Sequence, residues 1–279
     1  MVRIVTDTLS DVTPQMVNEF GIAVVPLHVH FGKETFRDGV DLSTEEFYRR
    51  LQNSEVFPTT SAPGPGLLSE TFTRLASETT EILAVMASSK LSAVHEAAVQ
   101  GAQLAQKGCR IEVVDSQFVV GAQLLLVLLA ARAASKGSSL DETATLVRTA
   151  IPRIQARMSF DTLEYLRRGG RIGKAQAFLG SMLRINPILG LKDGEIVPIT
   201  RLRGRSRALD WLVSFARSFP KAEGLVVEDA TTPEEAETLV ARISEFLPKE
   251  KIFRSRVGPA IGVHVGPHVL AVSILPAQK

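Results

Sequence analysis

Two rhythms of apolar residues alternate along this chain. Short β-rich runs at Arg3–Thr6, Ile22–Val29, Ile82–Ala87 and Arg110–Val114 punctuate its first half. Between and after them lie longer mixed stretches with helical spacing: Asp11–Phe20, Ser43–Leu51, Leu67–Glu78, Leu91–Gln106, Val119–Ala134 and Leu140–Gln155. Ser43 followed by Glu46 has the spacing of a capping box. A turn-rich stretch, Pro58–Gly66, separates two of these helices. Strands that alternate with helices of this length predict βαβ units and a parallel sheet.

The second half changes character near residue 155. A short strand, Met158–Phe160, leads into a helix over Thr162–Arg168, the turn Gly169-Gly170-Arg171 and a helix over Lys174–Leu183. Asp193-Gly194 marks a hairpin between Ile188–Leu191 and Glu195–Arg203. Ser206–Ser218 and Pro233–Phe246 read as helices, Gly224–Glu228 and His268–Leu275 as strands. The expectation is an α/β protein of two domains. Residues 1–155 form a parallel-sheet domain with hydroxyl-rich strand ends, and residues 156–279 an α+β domain.

Composition narrows the function. The 279 residues are 45% apolar and 22% charged, an ordinary globular balance, and the formal charge of +2 argues against nucleic acid or an anionic membrane as the main partner. The single cysteine, Cys109, rules out an internal disulfide and a thiolate cluster, which fits a reducing, cytoplasmic setting. The N-terminus reads as a strand and lacks a signal-peptide layout. The most apolar run, Val119–Ala134, spans roughly 24 Å as a helix and carries Gln123 and Arg132. That is short for a bilayer, so it is expected to be a buried core helix, with no stable membrane insertion.

Polar chemistry gathers at strand ends. Ile82–Ala87 runs into Ser88-Ser89-Lys90-Leu91-Ser92, Arg110–Val114 into Asp115-Ser116, and Thr59-Thr60-Ser61 sits in the Pro/Gly loop. Carboxyl ends of parallel strands border ligand crevices, and helix starts there offer N–H groups to anions; each cluster read alone is more often an ordinary helix cap, and their combination says more. Gly258–Pro267 places His264 between two Gly-Pro dipeptides, which suggests a short strand between turns with the imidazole either structural or aimed at a ligand. Arg171 follows a helix end on a short loop, where it can pair an anion or simply lie on the surface. His28 and His30 share one strand face without neighbouring ligands and are expected to be structural. Arg201, Arg203, Arg205 and Arg207 form a basic run, either solvated or a docking face for an acidic partner or nucleotide.

Taken in order, these pieces resemble the DegV family, which includes the fatty-acid-binding FakB subunits of bacterial fatty acid kinase. Val5-Thr6-Asp7-Thr8 is similar to its opening strand, and Phe36-Arg37-Asp38-Gly39-Val40-Asp41 to its R-D-G-x-D stretch. Thr60-Ser61-Ala62-Pro63-Gly64-Pro65-Gly66 resembles its T-S-Q-P-S-P-G loop, Ser88–Ser92 its S-S-x-L-S turn and Val114-Asp115-Ser116 its I-D-S. Asp161–Ile172 resembles its D-T-L-E-Y-L-x-x-G-G-R-I, and Gly258–Pro267 its G-P-x-I-G-x-H-x-G-P. The resemblance implies two domains with a ligand tunnel between them that encloses a long-chain, palmitate-like fatty acid, and no other cofactor. It implies carboxylate ligands at Thr60 or Ser61, Ser92, Arg171 and His264, with a kinase catalytic subunit as partner that makes the acyl phosphate for phospholipid synthesis. Ala62, Gly64 and Ala93-Val94 depart from the family's more polar residues and make the pocket's surroundings less polar.

The physics suits such a ligand. At about 0.8 kcal/mol per buried methylene, a sixteen-carbon tail gains roughly 10 kcal/mol before the costs of ordering. The expected lining comes from the helix over Val119–Leu129 together with Phe178, Leu179, Met182, Leu183, Ile185 and Ile188. A buried carboxylate requires donors and a cation. Two rival readings are enzymes. A serine-dependent acyl hydrolase would use Ser92 and His264 with Asp7 or Asp115, though Ser92 lacks the Gly-x-Ser-x-Gly elbow. A small-molecule kinase in its own right would need a phosphate loop that is not found in the sequence.

Overall fold

The computed structural model describes residues 1–105, 108–179 and 185–278. The first half runs β1 (Arg3–Asp7), α1 (Pro14–Phe20), β2 (Ala23–Val25), β3 (His28–Phe31), β4 (Glu34–Arg37), α2 (Thr44–Asn53), β5 (Thr59–Ser61), α3 (Pro65–Ala76), β6 (Glu81–Met86), α4 (Val94–Leu104), β7 (Arg110–Asp115), α5 (Val120–Ser135) and α6 (Leu140–Ala150). The second half continues with β8 (Gln155–Ser159), α7 (Glu164–Arg168), β9 (Ile185–Lys192), β10 (Glu195–Arg203), α8 (Arg205–Arg217), β11 (Ala222–Asp229), α9 (Pro233–Ile243), β12 (Ile252–Arg256), α10 (Pro259–Val265) and β13 (Leu270–Pro276).

The parallel sheet expected from the βαβ rhythm is present as β2-β1-β6-β7. A six-stranded sheet, β10-β9-β8-β13-β11-β12, takes every strand from Gln155 onward and is antiparallel except between β11 and β12. A small antiparallel sheet, β4-β3-β5, completes the strands. Helix α5 is apolar nearly all round because it packs against β1 and β6 of one large sheet and β11 and β13 of the other. Its buried polar residue, Gln123, donates from Nε2 to Thr6 Oγ1 and Asp7 Oδ2, which is why an amide survives in this core. One hydrophobic cluster runs through both halves, and a second lies under α8 and α9. No helix among the described residues is long and apolar enough to cross a membrane.

Several local expectations change. The run Ile22–Val29 is two strands in two different sheets, broken at Pro26, which has no N–H for a ladder. The helix from Leu140 stops at Ala150 because Pro152 cannot continue it; a 3-10 turn follows and Gln155 already belongs to β8. The expected helix from Lys174 is a 3-10 helix over Gly173–Phe178, and its end near Leu183 lies outside the described residues, as does the end of the α4 segment at Gln106. The segment around His264 is a helix, α10, rather than a strand. Pro259 occupies its first turn and Gly266, at φ 77°, closes it, so the two Gly-Pro dipeptides mark a helix start and a helix end. The capping box forms at Ser139 and Glu142; at Ser43 only the serine half forms, because Glu46 turns to Arg49 and Arg50.

Candidate ligand-binding site

The segments that carry Thr60, Ser92, Arg171 and His264 converge on one cavity of about 280 Å³, whereas the strand end Asp115-Ser116 does not line it. Its walls are apolar: Leu9 and Leu27, Val119 and Val120 at the start of α5, Met158 and Phe160 from β8 and the residue after it, Leu191 and Ile196 from the β9–β10 hairpin, and Ile261 from α10. All five expected site residues, Thr60, Ser61, Ser92, Arg171 and His264, also line it. Of the expected apolar lining, Val119 and Val120 face this space, whereas Leu124, Leu126 and Ile188 are buried elsewhere in the core. Phe178 and Leu179 pack against the core's outside, Ile185 does not reach the cavity, and Met182 and Leu183 lie outside the described residues. Ala62 and Ala93, two of the departures from the family pattern, stand in the wall.

Strand β5 decides between the two loop hydroxyls. Thr60 is opposite Val29, a fully buried residue of β3, and therefore points inward, while Ser61 is opposite His28 on the outer face. Ser61 Oγ is 2.9 Å from His30 Nε2, and His30 Nδ1 is 2.9 Å from Thr35 Oγ1. The His28 and His30 rings stack on that outer face with centroids 6.5 Å apart. Thr60 Oγ1 instead lies 2.9 Å from His264 Nε2. Thr60 is the inward hydroxyl.

Ser92 keeps a capping role: its Oγ accepts from Val94 N at 3.3 Å at the start of α4. Its remaining hydroxyl hydrogen is available to the cavity it lines. Arg171 sits over the same turn, donating from Nε to Leu91 O at 3.2 Å and from Nη1 to Gly169 O at 2.8 Å. Nη2 has no partner among the described residues, and no carboxylate pairs with Arg171 there.

His264 is held from behind by the Gly-Gly-Arg turn. A Cβ on Gly169 would fall 2.2 Å from His264 Nδ1, so this position excludes a side chain. The left-handed residue of the turn is Gly170, at φ 69°. Burial, and then the charge of Arg171, push His264 down to about 4, so it is neutral near pH 7. Nδ1 is buried and has no partner among the described residues. The tautomer with hydrogen on Nε2 turns a bare lone pair toward Gly169 and donates to Thr60 Oγ1, which leaves the threonine O–H free to donate. The sequence showed the two glycines but not that one of them is the floor of the imidazole.

The basic run divides. Arg205 turns inward to Glu235, Asp161 and His268 O, while Arg201 and Arg203 stay exposed on β10 and Arg201 covers the Phe178 ring at 4.5 Å. No group of acidic, histidine or cysteine side chains suited to a metal occurs among the described residues.

Fold and cavity together define a class: an α/β protein that encloses an apolar cavity ending in hydroxyl, imidazole and guanidinium groups. The chain belongs to the DegV family of uncharacterised proteins, whose model matches residues 1–277. It is 36% identical over 276 residues to a DegV domain-containing protein of Caldanaerobacter subterraneus, covering 97% of each chain. Among solved structures it superposes on a fatty-acid-binding DegV family protein from Thermus thermophilus with a TM-score of 0.91 at 28% identity, over 99% of both chains. DegV of Bacillus subtilis, described as a fatty acid binding protein, matches with a TM-score of 0.88 at 28% identity, over 98% of this chain and 99% of that one.

Proposed function

We propose that this chain binds a long-chain fatty acid in the cavity and presents its carboxylate to a partner kinase, with no catalysis of its own. The observation that carries the reading is the placement of Thr60, Ser92, Arg171 and His264 at one cavity whose other walls are apolar. Thr60 and Ser92 supply O–H donors, Arg171 Nη2 supplies the opposite charge, and neutral His264 sets the direction of the threonine hydrogen. The fatty-acid-binding relatives from Thermus and Bacillus support the same ligand. Arg171 is exposed, and a cleft lined by Lys90, Ser92, Arg171 and Glu195 adjoins the cavity, so a bound carboxylate would be accessible from outside.

The hydrolase reading loses its geometry. His264 is bonded to Thr60 rather than Ser92, and no acid orients its Nδ1 among the described residues. Asp7 accepts from Ala87 N and Leu9 N, and Asp115 from Ser89 and Gln117. That chemistry needs a nucleophile hydrogen-bonded to a base, and the base hydrogen-bonded to an orienting acid.

Native mass spectrometry of protein from a bacterial host tests the reading: a bound fatty acid is expected, and Ser92→Ala and Arg171→Ala should each retain less of it. Protein that is lipid-free and takes up no fatty acid on incubation would end the proposal. Partner presentation is tested separately, by acyl-phosphate formation with a purified fatty acid kinase catalytic subunit. Arg203→Glu is expected to weaken that step without altering lipid content.

A further inference from the structure

Five buried carboxyl side chains among the described residues take no part in the proposed carboxylate site: Asp7, Asp11, Asp38, Glu228 and Asp229. Three of them bond across from one half of the chain to the other. Asp11 Oδ1 accepts from Gly258 N at 2.9 Å, Asp38 Oδ2 from Ala260 N at 3.2 Å, and Glu228 Oε2 from Gly121 N at 2.6 Å. Each of these amides belongs to a segment that lines the cavity. Ala260 and Ile261 of α10 are in its wall, and so is Val120, next to Gly121. Val120 is held at φ 52°, a conformation that a β-branched residue adopts only when its surroundings impose it. The contact with Glu228 is close enough that a Cβ on Gly121 would fall 2.7 Å from Oε2.

Asp11 and Glu228 both adjoin Ser255 of β12. Ser255 is opposite Glu228 in the β11–β12 ladder, and its hydroxyl donates to Asp11 O. The second oxygens of the two acids, Asp11 Oδ2 and Glu228 Oε1, are buried and bond to nothing among the described residues. The nearby cations have other partners: Arg254 pairs with Asp229 and Glu237, and Arg256 with Glu45. Asp7, Asp38 and Asp229 add further acid to the neighbourhood, and Tyr48 directs its hydroxyl to Val257 O. A buried carboxylate with one oxygen unsatisfied and a like charge beside it is penalised, and a proton removes the penalty.

We propose that Asp11 and Glu228 keep at least one proton between them, and that this proton latches the cavity walls, α10 onto the first half and the start of α5 onto the second. Burial, and then the charge of Glu228, push Asp11 well above the ordinary carboxylate range, and burial pushes Glu228 upward as well. Because the folded form holds the proton more tightly than the unfolded chain, the latch is closed at lower pH and is lost as pH rises through the folded-state value. Ligand release therefore accelerates on the alkaline side. The release readout rests on the fatty-acid reading; the proton itself does not.

Two measurements separate them. Infrared spectra of two ligand-free samples, one with carboxyl-labelled aspartate and one with carboxyl-labelled glutamate, recorded from pH 6.5 to 9, should show in at least one of them a protonated carboxyl band that disappears with rising pH. Its absence at pH 6.5 would overturn the latch, whether or not any variant folds. Transfer of a fluorescent fatty acid from the protein to phosphatidylcholine vesicles should be about tenfold faster at pH 9 than at 6.5, the factor that one pH unit of proton linkage gives. Asp11→Asn and Glu228→Gln, which stay uncharged, should remain slow at pH 9. Release by the wild type that ignores pH, or folded variants that keep the wild-type profile, would also overturn the latch. Protein that binds no fatty acid at any pH would sink the functional reading instead, and the infrared band would still decide the proton.

Discussion

Thr60 Oγ1 and His264 Nε2 stand 2.9 Å apart, joined across 204 positions of chain at the polar end of the cavity. If the imidazole acts by directing the threonine hydrogen, the two side chains are one functional unit. Thr60→Val and His264→Ala should each weaken fatty-acid retention about tenfold, the loss of roughly one well-placed hydrogen bond. The double variant should be little worse than either, because the second change removes an interaction already gone. Additive losses in a competition assay would show that the residues work separately.

Gly169→Ala tests the floor beneath the imidazole. The new methyl must displace His264 or the turn, since its ideal position is 2.2 Å from Nδ1. Thermal melting should report a loss of about 1–3 kcal/mol, the usual range for overpacking. Lipid content should fall although the substituted residue lines no part of the cavity. Undiminished retention would show that the imidazole tolerates displacement.

Phe160, 1% exposed, forms part of the cavity wall. Phe160→Ala should cost about 3–5 kcal/mol of stability and enlarge the space. Mass spectrometry of the co-purified lipid should show longer or bulkier acyl chains than the wild type carries. An unchanged profile would place the length-limiting wall elsewhere.

Stability should decline toward alkaline pH. Burial raises Asp7 to about 6 and Asp38 to about 7. For a raised carboxylate the contribution is complete below its unfolded value and lost as pH climbs through the folded one. Asp41, Glu46 and Glu164 near the surface have the opposite sign: arginine neighbours lower each to about 2, so their contribution is lost only in strong acid. Neutral His264 also favours the fold above about 4. The melting temperature should therefore peak near about pH 4 and fall from there to pH 8, with a shallower fall in Asp38→Asn. A melting temperature level from pH 5 to 8 would contradict the assigned protonation.

Much of this architecture could be read from residue order, because periodicity and turn chemistry are local. The βαβ alternation located β1, β6 and β7, and Asp193-Gly194 located the β9–β10 hairpin. The errors have local causes too. Val263 and Val265 look like strand residues, yet Pro259 and Gly266 impose a helix around them. Strands β4, β5 and β12 are short and polar or charged, and only pairing with a neighbour makes them strands. At the site, the family resemblance named five positions that line the cavity, but which hydroxyl faces inward depended on the register of β5 against β3. The cross-half grip of Asp11, Asp38 and Glu228 left no mark in spacing, since each acid bonds to a backbone amide, a group every non-proline residue carries.

Strand β13 occupies the interior of the six-stranded sheet, between β8 and β11, although both of those precede it in the chain. A nascent polypeptide emerging from the ribosome thus holds two unsatisfied strand edges apart until residues 270–276 are synthesised and slot between them. The six-stranded sheet is therefore completed only after those residues leave the ribosome, and chains stalled before that point are the ones expected to need chaperone shielding.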